Sequence, residues 1–152
     1  MILVSACLCG INTKYNGKNS FSPSVLKFIR EGRVIPVCPE QLGGLSTPRE
    51  PCEICGGTGK DVLNKKASVV TSTGNEFTYN FLKGAYETLH IAEQFNIKKA
   101  VLKSKSPSCG YEKIYDGSFK KNIITGNGVT AELLIRNKIK IYTEEHIKNT
   151  MP

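Results

Sequence analysis

The chain has 152 residues, 39% of them hydrophobic and 22% charged, a length and mixture that suit one globular domain (1–152) with a real core. No apolar run approaches the roughly 20 residues that span a bilayer, and the start, Met1-Ile2-Leu3-Val4, has no basic leader, so a soluble cytoplasmic protein without a membrane partner is expected. Twenty-one Lys and Arg against 13 Asp and Glu give a formal charge of +8, but the lysines are scattered, which makes nucleic acid a less favoured partner.

In chain order, Met1 to Ala6 is an apolar run that predicts a central strand covered on both faces and stops at Cys7-Leu8-Cys9-Gly10. Ser22 or Ser24 can cap a helix with Pro23 early in it and an apolar face of Val25, Leu26, Phe28 and Ile29, ended by Gly32. Arg33 to Val37 predicts a second strand, which runs directly into Cys38-Pro39-Glu40. Gln41 to Gly59, rich in Gly and Pro, reads as a long irregular loop, and such loops are usually functional.

Asp61-Val62-Leu63 and Ala67 to Thr71 read as a hairpin around Asn64-Lys65-Lys66. The strongest helix is Phe77 to Phe95, where Phe81, Leu82, Ala85, Leu89, Ala92 and Phe95 recur at three- and four-residue steps. Thr73 or Asn75 is available near its start, and Gly84 within it suggests a close approach to the sheet. Lys99 to Lys103 is a third apolar strand, followed by the turn-rich Ser104 to Gly110. Tyr111 to Ile124 reads as irregular, Val129 to Arg136 as a helix, and Ile139 to Tyr142 as a last strand before a polar tail.

Strands alternating with helices predict a small, single-domain α/β fold, Rossmann-like, with a mostly parallel sheet, helices on both faces and long active-site loops. In such folds ligand crevices lie at the carboxyl ends of strands. Cys7, Cys38 and Cys109 each follow a strand, so the fold itself would gather them although they are far apart in sequence.

The chain has six cysteines and needs no disulfide staples at this size, so they read as ligands or reactive thiols. Three thiolates brought together repel unless a metal neutralises them. Zinc or an iron-sulfur cluster would do so, and a four-iron cluster on three cysteines leaves one iron with an exchangeable position. Glu40, two residues after Cys38, is placed to orient or deprotonate water, against the plainer role of a solvated loop glutamate. Ser106 and Ser108 flank Pro107 before Cys109, where their hydroxyls either contact a ligand or cap the turn.

The main alternative is a zinc site that combines Cys52-Glu53-Ile54-Cys55 with Cys7-Leu8-Cys9, stabilising a basic RNA-binding or thiol-redox module. It leaves Cys38 and Cys109 without a task. Buried, inert cysteines are the plain structural reading. His90 and His146 have no partner at ligand spacing, and Gly43, Gly44 and Gly110 serve backbone geometry in the absence of a Walker pattern.

Val4-Ser5-Ala6-Cys7-Leu8-Cys9-Gly10, Cys38-Pro39-Glu40, Gly43-Gly44-Leu45, Pro48-Arg49 and Ser106-Pro107-Ser108-Cys109-Gly110 together resemble the family once known only as DUF523, which includes the thiouracil desulfurases. Lys14-Tyr15-Asn16-Gly17 and Ile114-Tyr115-Asp116-Gly117-Ser118-Phe119 extend the likeness over nearly the entire chain. Cys9, where a leucine is usual, and the Cys52/Cys55 pair depart from the pattern.

The resemblance implies a [4Fe-4S] cluster on Cys7, Cys38 and Cys109, with Glu40 as acid/base group and Ser106 as an active-site hydroxyl; Ser108 is the expected substrate-binding residue. It further implies non-redox desulfuration of a thiolated pyrimidine or nucleoside of the 2-thiouracil type, releasing hydrogen sulfide.

Overall fold

The structure, a computed structural model, describes residues 1–147, so the last part of the polar tail lies outside the described residues. β1 (Ile2–Ser5) leads through a 3-10 turn (Ala6–Cys9) and a second one (Pro23–Val25) into α1 (Leu26–Arg30) and β2 (Val34–Val37). Next come α2 (Pro39–Leu42), β3 (Cys52–Cys55), α3 (Gly59–Leu63), β4 (Ser68–Thr71) and the long α4 (Thr78–Gln94). β5 (Lys99–Leu102), β6 (Lys113–Tyr115), β7 (Ile123–Thr125), α5 (Val129–Arg136) and β8 (Lys140–Thr143) complete the chain.

The central sheet has the order β2-β1-β5-β8, and all its neighbours are parallel. The central strands β1 and β5 read as nearly unbroken apolar runs because both their faces are covered, whereas the edge strand β2 leaves Pro36 exposed. Since side chains alternate along a strand, Leu3, Ala100, Leu102 and Ile141 meet Phe81, Ala85 and Leu89 of α4 and Leu133 and Leu134 of α5. Ile2, Val4, Val101 and Tyr142 pack on the other side with Leu8, Val25 and Phe28. Among the described residues no helix is long and apolar enough to cross a membrane.

From β1 the chain steps to β2 on one side, then returns to place β5 and β8 on the other, so the topological switch point lies between β1 and β5. Register keeps the carboxyl ends level, with Ser5 opposite Val37 and Leu102 opposite Thr143. The loops leaving these ends therefore share one edge.

Three segments depart from the sequence reading. The stretch read as an irregular loop from Gln41 to Gly59 contains β3, whose antiparallel partner is β4. Asp61-Val62-Leu63, read as one arm of a hairpin, is helical instead. A capping box sets this: Asp61 Oδ2 accepts the Thr58 N–H at 2.8 Å, and such a start outweighs the weak extended preference of three residues. Tyr111 to Ile124, read as irregular, holds the antiparallel pair β6 and β7, each only three residues long. Strands that short show no alternation to recognise. Thr73 and Asn75 make no cap for α4; Asn75 N–H closes the preceding turn on Thr71 Oγ1 at 3.1 Å.

Gly84 does permit a close approach, but to α2 and not to the sheet. A Cβ on Gly84 would run into the Pro39 carbonyl, and one on Gly43 into the Asn80 carbonyl. Asn80 Nδ2 also donates to Gly43 O at 2.9 Å. The helix that carries Glu40 is thus laid backbone to backbone on α4. Gly84→Ala is expected to destabilise the fold by about 1–3 kcal/mol through overpacking. A lowered urea midpoint at unchanged m-value would show it.

Candidate active site

A cleft of about 650 Å³ opens along the strand-end edge, and Cys7, Cys38 and Cys109 line it together with Glu40, Arg49, Lys103 and Ser106. Cys7 sits in the 3-10 turn after β1; its carbonyl accepts the Ser20 N–H at 2.9 Å, and Gly10, at φ +86°, closes the turn. Only a residue without a Cβ adopts that backbone without strain.

Cys38 is the extended residue that precedes α2, and Pro39 supplies the fixed φ of the first helical position. Glu40 therefore falls on the first turn, next to Cys38. Its Oε1 accepts from Arg49 Nε at 3.1 Å, and the Cys38 thiol donates to Thr13 O at 3.8 Å.

Cys109 is held by a pinned loop. Ser106 Oγ accepts the N–H groups of Ser108 and Cys109, each at 3.1 Å, while Pro107 O and Ser108 O accept the first N–H groups of α5, Val129 and Thr130, at 2.9 Å each. Loop carbonyls thus satisfy helix donors that would otherwise be orphaned. Ser106 both caps this turn and lines the cleft. Ser108, the expected substrate contact, is instead 1% exposed, and its hydroxyl shares a 2.8 Å hydrogen bond with Thr130. It anchors the loop from beneath and is absent from the cleft lining.

Burial pushes the Cys7 thiol up to about 11, with Cys38 adding to the rise and Lys103 opposing it. Burial raises Cys109 as well, a hydrogen bond from Ser5 opposes, and Cys7, Cys38 and Glu40 add further upward push. Cys7 and Cys109 therefore sense the charge of their cysteine neighbours in the cleft.

A family model described as 2-thiouracil desulfurase matches residues 2–146. The chain belongs to the 2-thiouracil desulfurase family. Uncharacterized protein YbbK of Bacillus subtilis (strain 168) is 46% identical to it over 151 residues, 99% of this chain and 100% of that one. Among solved structures, [4Fe-4S]-dependent thiouracil desulfidase TudS is similar at a TM-score of 0.83 and 38% identity, over 95% of this chain and 90% of that one. The family and the mostly parallel α/β fold expected from the motifs are both borne out, and the chain is an enzyme of the desulfurase class.

The thiols that the cleft gathers, Cys7, Cys38 and Cys109, are the donor type that an iron-sulfur cluster takes. Among the described residues, no three Cys, His, Asp or Glu side chains converge as a single ion requires. Thiols held protonated by burial give up their protons when metal binds.

The alternative four-thiolate zinc site fails on geometry. Cys52 and Cys55 lie three residues apart on β3, and positions so spaced on a strand point to opposite faces. Cys52 is buried and Cys55 exposed, and all six cysteines are free thiols. Burial pushes Cys52 up to about 12, with Glu40 adding and Arg49 opposing. His90 is exposed, and His146 stands edge-on to Tyr111 with ring centroids 6.1 Å apart; neither lines the cleft.

Three features of the desulfurase cleft carried no assignment in the sequence. Arg49 lay in a recognised motif without a role. Lys103 Nζ pairs with Glu144 Oε1 at 2.6 Å, and Ser104 donates both its N–H and its hydroxyl to the same carboxylate. Burial works to raise the Glu144 carboxyl, but the hydrogen bonds from Lys103 and Ser104 and the Lys103 charge outweigh it and hold it below its ordinary value. Applying the strand-end rule to the fourth strand would have found Glu144, which directly follows β8. Tyr15, Tyr115 and Phe119 give the cleft aromatic walls. Glu53 Oε1 fixes the last of them, accepting the N–H groups of Gly117 at 3.0 Å and Phe119 at 3.2 Å.

Proposed function

We propose that this enzyme converts a thiolated pyrimidine of the 2-thiouracil type, as free base or nucleoside, to the oxo base with release of hydrogen sulfide. The observation that carries the reading is the gathering of Cys7, Cys38, Cys109 and Glu40 in one cleft at the switch point of the sheet. The likeness to a [4Fe-4S]-dependent thiouracil desulfidase supports it. The whole chain, 1–152, acts as one domain in this reading, in a reducing cytoplasm that suits six free thiols.

Cys7, Cys38 and Cys109 would hold the cluster as thiolates. A [4Fe-4S] cluster so bound would supply an open iron, a Lewis acid for the substrate's sulfur. The flat pyrimidine lies against Tyr115 and Phe119. Glu40 Oε1 is engaged by Arg49, which leaves Oε2 to take a proton from the water that attacks the thiocarbonyl carbon. Ser106 Oγ already accepts two N–H groups, so its own hydrogen is left to donate to the substrate. Water supplies the oxygen and both protons of the departing hydrogen sulfide. Thiocarbonyl plus water gives carbonyl plus hydrogen sulfide, with no change of oxidation state.

Anaerobically reconstituted protein is expected to release one sulfide for each uracil formed from 2-thiouracil. A brown, iron-loaded protein that yields neither product from any thiolated base or nucleoside would sink the reading.

A further inference from the structure

We propose that Arg49 is the positioning residue that fixes the base, Glu40, and one thiolate, Cys38, relative to each other. The inference rests on the desulfurase reading above and extends the part of Arg49 from engaging one oxygen of the base to holding base and thiolate together.

Arg49 lies in the segment between α2 and β3, and its side chain is only 7% exposed. A guanidinium so placed must spend its donors on protein acceptors. Nε donates to Glu40 Oε1 at 3.1 Å. One terminal nitrogen donates to Thr47 Oγ1 at 2.8 Å and to Ser46 O at 3.1 Å. The other donates to Thr13 O at 2.8 Å and reaches Cys38 Sγ at 4.0 Å. All five N–H directions are thus engaged, so no donor remains to clamp an anion arriving from solution.

What the group does is hold others. Its planar fork joins α2, through Glu40 and Cys38, to the loop at Thr13, and its own N–H is tied to Tyr15 O at 2.8 Å. The bond to Oε1 ties the Glu40 carboxylate to the guanidinium and leaves Oε2 free of it. The cation beside Cys38 balances the charge that this sulfur carries as a ligand. Lysine, a single point charge on a flexible stem, cannot make this set of bonds.

Arg49 also borders two spaces, as Cys52 does. It lines the active cleft and a second cavity of about 340 Å³ bounded by Gly44, Leu45, Phe77 and Asn80.

The test compares wild type, Arg49→Lys and Arg49→Met, with Arg49→Lys also placed in a Glu40→Gln background. Each is loaded anaerobically and assayed per bound cluster. In Arg49→Lys, kcat for sulfide release from 2-thiouracil is expected to fall about tenfold or more while KM changes about twofold or less. In the Glu40→Gln background the same substitution is expected to add almost nothing, because it acts through the group already lost. Arg49→Met, which removes the charge beside Cys38, is expected to shift the cluster's midpoint potential to more negative values.

Unchanged kcat per cluster in Arg49→Lys, or a loss that multiplies in full on Glu40→Gln, overturns the proposal. If wild type releases no sulfide, the desulfurase reading fails on its own. The comparison of potentials still judges the Cys38 contact, and equal potentials in wild type and Arg49→Met overturn it.

Discussion

Replacing Cys7, Cys38 or Cys109 singly with alanine is expected to abolish cluster retention and sulfide release together, with bound iron falling from about four atoms per chain to less than about one. Each of these cysteines leaves a different element, so no neighbour on the same turn can take its place. The obvious objection is that Cys109, at 5% exposed, and Cys7, at 8%, are core residues whose loss unfolds the chain. Removing one sulfur atom from a packed site costs only about 1 kcal/mol, a fraction of the usual stability. Metal-free variants should therefore melt within a few degrees of metal-free wild type. Cys9→Ala, Cys52→Ala and Cys55→Ala act as controls. β3 turns Cys55 away from Cys52, so these variants should keep most of their iron. The reverse pattern, with iron lost from the Cys52 and Cys55 variants alone, would remove the cleft cysteines as ligands.

The part of this site that was legible in the sequence is the part set by short-range pattern. Four apolar runs mark four parallel strands, and the rule that ligands sit beyond strand carboxyl ends selects Cys7, Cys38 and Cys109 with no knowledge of contacts. What stayed hidden depends on where side chains point. The two-residue spacing of Cys52 and Cys55 suggests a chelating turn, but the same spacing on a strand separates the sulfurs. The segment is a strand only because β4 pairs with it. Arg49 sits nine residues from Glu40 and eleven from Cys38, distances with no periodic meaning that the intervening turn converts into contact. Glu144 meets Lys103 across 41 residues through the adjacency of β5 and β8. Ser108 shows the opposite failure. Its flanking position resembled that of Ser106, yet one hydroxyl lines the cleft and the other faces α5.

Glu40→Gln is expected to retain the full iron content but to lose about 10²–10⁴-fold in kcat, the usual contribution of a positioned general base. Glutamine is close to glutamate in shape, and its carbonyl oxygen can still accept from Arg49 Nε, so the clamp on α2 survives. What disappears is the ability to take a proton from water, since an amide is not a base near neutral pH. Alanine is the poorer choice at this position. It would strand the guanidinium of Arg49, 7% exposed, without its carboxylate, a change that costs about 3–5 kcal/mol in fully buried pairs and less here because Glu40 keeps 19% exposure. A loss in Glu40→Ala would thus mix instability with chemistry, whereas Glu40→Gln isolates the proton. Sulfide release per cluster gives kcat, and thiouracil binding followed by difference absorbance shows whether affinity is kept. Affinity kept with turnover lost places Glu40 in the chemical step. Undiminished turnover would leave Glu40 as no more than the counter-charge of Arg49, and the water that attacks the thiocarbonyl carbon would need another base, for which the cleft offers Glu145, Glu53, whose Oε1 holds the Gly117 and Phe119 N–H groups, and Glu144, already committed to Lys103 and Ser104.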